Sequence, residues 1–391
     1  MNDKILSISR RTRATPFTTL VEAAGVKGYT VYNHMLLPTE FISFEEDYWH
    51  LCEHVQVWDV SAERQVEING PDAMRLVQLM TPRDIRKAVD KQCLYVPLCN
   101  EFGSIINDPI AIRHSENRWW LSIADSDVKL WAQGLATGYG LDVKISEPDV
   151  FPLAVQGPKA EDLVARLFGE QIRDIRFFRG DMVTFKGKEM YMARSGWSKQ
   201  GGFEIYLNEP SLGEDLWDEL FLLGEDLHVR AGCPNLIERL ESGLLSYGND
   251  IDESNNPFEC GFDQFIKLDA DIESLSLPFL REMAGQHTKQ LVGLIAHEKI
   301  YLSHRYIEVD GRKVGELTSR VWSPRYRNML EVNDEIVGEL TSQIWSPRYR
   351  KQLAFAMMNR DYLANHSTIE INGVTAQITA LPFSAEALNT Y

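Results

Sequence analysis

Residues 193–206, Ala-Arg-Ser-Gly-Trp-Ser-Lys-Gln-Gly-Gly-Phe-Glu-Ile-Tyr, carry the densest chemistry in the chain. Glu204 follows the pair Gly201-Gly202 and stands between Phe203 and Ile205. Alternate side chains of a strand face opposite ways, so if Phe203 and Ile205 turn to a core, Glu204 and Tyr206 share the other face. A carboxylate there either meets water, as in an ordinary hairpin, or accepts paired N–H bonds from the edge of a heterocycle. Gly196, Gly201 and Gly202 permit a sharp turn and the close approach of a ligand. Asp108 is the second acidic candidate. It stands directly before Pro109 in the apolar run Ile105–Ile112, where a carboxylate is costly unless partnered; a turn at a strand edge is the plainer reading. Trp197 and Tyr206 stand in the same stretch, and aromatic faces attract sulfonium or ammonium groups; the aromatics and Met35 of Tyr29–Pro38 read by themselves as ordinary core residues.

Such a set suits binding of a flat heterocycle and a cation better than hydrolysis. The chain offers no Ser-His-Asp set, no Walker loop and no GxGxxG opening a helix. His50 and His54 are four apart, but no Glu follows His50 as in HExxH and no third ligand is evident, so no metal is expected. The net charge of −17 argues against nucleic acid, which needs clustered Lys and Arg. The five cysteines are odd in number and form no CxxC pair, which fits a reducing compartment. The stretch Ala14–Thr18 is no signal-peptide core, and no run reaches membrane-spanning length. A cytoplasmic protein with no membrane partner is expected; a homodimer is allowed.

The elements that must position these residues alternate between strand and helix. Helical patterns cover Phe17–Ala24, residues 44–58, Pro71–Met80, a segment from about Asp125, Pro158 to Gly169 and Leu212–Leu223. Strands are expected at Val66–Gly70, Leu94–Cys99, Ser104–Ile112, Trp119–Ala124 and Phe203–Tyr206. Residues 288–383 are rich in strands and turns, as in a small barrel. They contain two adjacent units of 23 residues, 307–329 and 330–352, identical at fourteen positions. Two copies are too few for a solenoid. The extra copy is expected to stand out as a surface hairpin or loop.

Several separated blocks resemble the folate-binding aminomethyltransferase family, the T protein of the glycine cleavage system. They are residues 193–206, Asn100-Glu-Phe-Gly-Ser-Ile-Ile-Asn-Asp108, the Gln156-Gly-Pro158 turn, and Arg239-Leu-Glu-Ser-Gly-Leu-Leu-Ser-Tyr-Gly-Asn-Asp250. The resemblance runs from about Ser9 to about Phe383. It implies an α+β fold with a three-domain cloverleaf arrangement and a C-terminal β-barrel. Residues 1–53 and 146–285 would form discontinuous folate-binding domains, residues 54–145 an α+β domain carrying Asp108, and residues 286–391 the barrel with its repeat. It further implies tetrahydrofolate as methyl-accepting cosubstrate and a small sulfonium substrate, dimethylsulfoniopropionate. Glu204, Trp197 and Tyr95 would bind the folate, Tyr32, Met35 and Tyr206 the substrate, and Asp108 would be catalytic. The chain departs from the family at Asn107, where the family has Asp, at Ser104, and at Pro234-Asn235-Leu236, where the family has Ala-Arg-Asp. Asn107, Pro234-Asn235-Leu236 and Lys199-Gln200, where the family has Glu-Asp, speak against glycine cleavage, which stays as an alternative with another folate-dependent demethylase, beside a non-catalytic folate-binding scaffold.

Overall fold

A computed structural model describes residues 9–301, 306–309, 312–316, 328–332 and 335–389. The chain divides into two compact units, Met1–Asn235 with Phe265–Pro278, and Leu236–Gln264 with Phe279–Tyr391.

The first unit is built on two sheets. One has five antiparallel strands in the order Lys144–Ser146, Gln65–Asn69, Arg118–Ser122, Ile110–Ser115, Gln92–Tyr95. The other has six, in the order Gly180–Phe185, Lys188–Ala193, Gly202–Leu207, Phe151–Gln156, Val55–Asp59, Val229–Gly232; only the last pair is parallel. Each sheet buries its outer face under helices. Leu76 and Val77 of Ala73–Met80 and Ala132 of Val128–Tyr139 join Ile68, Trp119 and Leu121 in one core. Leu163 and Val164 of Ala160–Phe168 and Leu216 and Leu220 of Gly213–Leu223 join Phe203, Ile205 and Leu153 in another. The inner faces meet in a third cluster, where Cys93, Ile112 and Trp120 pack on Tyr191, Ala193 and Tyr206. Strand alternation explains this layering, since adjacent Trp119 and Trp120 enter different cores. It also places Glu204 and Tyr206 on the face opposite Phe203 and Ile205, as the sequence indicates.

Two expectations need correcting. The helix from Phe44 ends at Glu53, and Val55–Asp59 is a central strand buried on both faces. A strand with no wet face shows no period-2 pattern, so the run read as a continuing helix. The run Ser104–Ile112 is likewise not one strand. It breaks between Ile105–Asn107 and Ile110–Ser115, and Asp108-Pro109 form the break.

Buried side-chain amides hold the loop ends beside that break. Asn107 is fully buried; its Nδ2 donates to Ala124 O at 3.1 Å while its Oδ1 accepts from Ala124 N at 3.0 Å. Asn33, buried at 2%, donates to Ala62 O at 2.9 Å and Ile123 O at 3.3 Å. Asn33 and His34 have positive φ, 48° and 66°, and form the two-residue turn between Gly28–Tyr32 and Met35–Glu40. Asparagine suits such a turn because it tolerates the left-handed region.

The second unit centres on an antiparallel half-barrel sheet in the order 328–332, 335–346, 351–359, 289–296, 374–379, 368–371. The retained Arg239–Asp250 motif is structural here. Arg239 Nη1 and Asp250 Oδ2 form a buried ion pair at 2.7 Å. Ser342 accepts from Arg239 at 2.7 Å, and Thr341 donates to Asp250 at 2.8 Å. Both partners belong to the second repeat copy, as does Ser346, which donates to Glu241 at 2.6 Å. The start of the first copy, with Tyr306 before it, forms a separate two-stranded ladder, Tyr306–Val309 with Arg312–Glu316, while its last residues, Asn328 and Met329, belong to the strand 328–332. Its register matches that of the second copy position for position: Ile307 faces Gly315 and Leu330 faces Gly338, with a bulge after each. Residues 317–327 of the first copy lie outside the described residues.

Deleting residues 315–337 joins Val314 to Gly338 and restores a single unit without new junction chemistry. We expect this variant to keep its activity and its thermal midpoint in a melting experiment, since shortening a loop carries little free energy. Unfolding of the variant would make the first copy an integral element. For Asn107→Asp, a carboxylate oxygen replaces the donor against Ala124 O. Urea titration should show a loss of about 1–3 kcal/mol with an unchanged slope.

Candidate active site

Glu204 sits on the strand Gly202–Leu207 and is 8% exposed. Ser195 Oγ donates to its Oε2, and the Tyr206 hydroxyl also bonds to it. Burial nevertheless raises its pKa above the ordinary glutamate value, because these two hydroxyls only partly replace water. Tyr206 is nearly buried, with its ring 5.9 Å from Trp120 and 5.5 Å from Tyr191. Burial and the Glu204 charge push its phenol well above 10.0, so it stays a neutral donor.

The loop 194–201 is shaped by one amide. Gln156, fully buried, donates from Nε2 to Ser195 O at 3.0 Å and accepts from Ser198 Oγ at 2.8 Å. A Cβ at Gly196 would lie 2.0 Å from Gln156 Nε2, and one at Gly202 would lie 2.2 Å from Val155 O. Both glycines have positive φ, 140° and 152°. They are therefore required by the approach of Gln156 and the neighbouring strand, whereas the sequence suggested the approach of a ligand. Gly201, at φ 86°, serves the turn alone. Trp197 is half-buried in this loop, between the residue that bonds Glu204 and the strand that bears it.

Asp108 is half-buried at its break, and Tyr95 Oη donates to its Oδ2 at 2.9 Å. The Tyr95 ring packs 5.2 Å from Phe265. Tyr32 ends the strand before the Asn33-His34 turn. Its phenol is raised well above 10.0 by burial and by the nearby charges of Glu63, Asp108 and Asp125. Glu204, Tyr206, Tyr95, Asp108 and Tyr32 thus form one neighbourhood, with Trp197 on its loop. Met35 is 2% exposed, an ordinary core position.

Sequence reasoning missed Glu63. It lies in the turn between Val55–Asp59 and Gln65–Asn69, and its carboxyl is raised well above 4.5 by burial first, then by Glu204 and Asp108. Nothing in Ser-Ala-Glu-Arg distinguishes it from a surface turn, and only the packing of the two sheets brings it to Glu204. The charges that act on Glu63 are two further acids, Glu204 and Asp108, and such a cluster makes a site for N–H donors or a cation. Among the described residues no group of His, Cys, Asp and Glu is arranged to hold a metal.

The GCVT N-terminal domain model matches residues 17–270. The chain is 53% identical to the dimethylsulfoniopropionate demethylase DmdA of Ruegeria pomeroyi, over 81% of this chain and 88% of that one. It is 30% identical to an aminomethyltransferase of Clostridium botulinum, over 74% and 80% respectively. The crystal structure of the glycine cleavage system aminomethyltransferase T from Bartonella henselae has the same fold, with a TM-score of 0.76 at 21% identity, over 94% of this chain and 97% of that one. A family model covering most of the chain and a relative of this identity across both lengths make this protein a member of the GCVT family.

Proposed function

We propose that the chain transfers a methyl group from dimethylsulfoniopropionate to tetrahydrofolate, leaving methylthiopropionate and 5-methyltetrahydrofolate. The observation that carries this reading is the 53% identity to the demethylase along most of both chains. The site suits both molecules. Glu204 offers acceptor oxygens on a rigid strand for a pterin edge, and the acidic, aromatic surroundings suit a sulfonium. Aminomethyl transfer has less support. Asn235, in the segment where the family has Ala-Arg-Asp, is buried and donates to Phe44 O at 3.0 Å, a structural use.

Tetrahydrofolate, when bound, supplies the nitrogen that accepts the methyl. The sulfonium already makes that methyl electrophilic and leaves as a neutral thioether, so the protein's task is alignment and exclusion of water. Glu204 anchors the pterin, its carboxylate oriented by Ser195 and Tyr206. Trp197 and Tyr95 complete the folate side. Asp108, held by Tyr95, orients the folate nitrogens and takes the proton that methylation displaces. Tyr206, Tyr32 and Met35, the register partner of Tyr32 across the turn, line the sulfonium side. The five free cysteines, four of them buried, support a cytoplasmic setting.

Product formation followed by mass, with and without tetrahydrofolate, tests the reaction. Methylthiopropionate formed equally well without folate would rule it out. Glu204→Gln should weaken tetrahydrofolate binding by roughly tenfold to a hundredfold in calorimetry while slowing saturated turnover less, because a charged acceptor is lost. Asp108→Asn keeps an acceptor for Tyr95, so the fold should persist. Turnover should fall by up to about 10²–10⁴-fold in steady-state kinetics. Wild-type turnover would return Asp108 to a turn residue.

A further inference from the structure

We propose that Glu63 is the specificity residue for the positive sulfur of the substrate, a counter-ion that places the sulfonium and turns the substrate's own carboxylate away. This rests on the demethylase reading above and adds a residue to it. The turn bearing Glu63 is fixed from several sides. Glu63 N donates to Val60 O at 2.9 Å, Gln65 Nε2 donates to Glu63 O at 2.8 Å, and Asn33 Nδ2 donates to Ala62 O at 2.9 Å. Asn33 also binds Asp125 and the Ile123 carbonyl, while Asn107 binds Ala124. These bonds tie the backbones of Tyr32, Glu63, Asp108 and Asp125 into one frame. Glu63 itself is half-buried in this turn.

Asp108, Glu204 and Glu63 differ in what they already hold. Asp108 accepts from Tyr95, and Glu204 accepts from Ser195 and Tyr206. Among the described residues no donor reaches the Glu63 carboxylate. The adjacent cation, Arg64, is drawn to Glu147 at 2.6 Å, which also pairs with Arg13 at 2.6 Å. The charges facing Glu63 are Glu204 and Asp108, and the phenols of Tyr32 and Tyr206 feel its charge in turn. A trialkylsulfonium has no N–H or O–H to donate, so charge and aromatic faces are what can recognise it. A carboxylate without fixed donors, beside Tyr32, meets that need. A neutral thioether loses the attraction, which favours product release. The substrate's carboxylate is repelled by the same three acids, which fixes its direction in the site.

A proton accompanies the binding. Crowded, buried acids retain protons that isolated ones would lose, and a fixed cation favours their ionised form. Substrate binding should therefore release a proton, and affinity should rise with pH as the raised carboxyl of Glu63 ionises.

Calorimetry of dimethylsulfoniopropionate and of the non-transferable probe tetramethylammonium, in buffers of different ionisation enthalpy, reads the released proton directly. We expect release by the wild type, and for Glu63→Gln a roughly tenfold to hundredfold rise in KM and in the probe's Kd, kcat changing less. Proton release should vanish, and tetrahydrofolate binding should change little. Glu63→Asp should restore part of the affinity and its pH dependence. Unchanged KM and proton release in Glu63→Gln would overturn the role. If Glu63→Gln is misfolded, a wild-type affinity independent of pH overturns it equally. If the wild type binds the cations with proton release but transfers no methyl group, the demethylase reading fails while the cation site stands.

Discussion

Buried side-chain amides that satisfy loop backbone out of reach of water are the constraint on which the site depends. A buried carbonyl or N–H left unpaired costs about as much as the whole gain from an ordinary hydrogen bond, or more. Asn107 and Gln156 each spend both ends of an amide on such groups or on a neighbouring hydroxyl, and Asn33 spends its amide N–H donors on the carbonyls of Ala62 and Ile123. The loops they hold are the ones that carry Tyr32, Glu63, Asp108 and Trp197. A carboxylate at position 107 would lose the donor that Ala124 O requires. The departure from the family at Asn107 is therefore a structural choice in this chain, whatever chemistry stands beside it.

Around that frame the molecule concentrates negative charge. Glu63 lies within electrostatic reach of both Glu204 and Asp108, and burial disfavours the ionised forms of Glu63 and Glu204. The hydroxyls of Ser195 and Tyr206 ease this for Glu204, and that of Tyr95 donates to Asp108. Such an arrangement works against stability when the acids ionise and in favour of binding whatever brings positive charge or N–H donors. Strain of this kind is common at functional sites, where the ligand completes the compensation.

The C-terminal repeat shows local and tertiary determinants acting separately. Both copies contain the same Val-Gly-Glu segment, and both ladders adopt the same register and the same bulge. Local sequence is thus enough for the hairpin. Membership in the six-stranded sheet is decided by what the second copy can reach, namely the Arg239–Asp250 pair and Glu241.

The sequence by itself determined the family, through blocks such as Gly201-Gly202-Phe-Glu204 and Arg239–Asp250, and the alternation that puts Glu204 beside Tyr206. Most strands and helices were legible because their apolar period reports a wet and a dry face. Val55–Asp59, dry on both faces, was not legible for the same reason. The pairing of Tyr95 with Asp108, the demand of Gln156 for Gly196 and Gly202, and the presence of Glu63 were decided only by tertiary structure. Each depends on groups far apart in the chain, and a glutamate in a turn carries no local mark of the charges it will face once two sheets close over it.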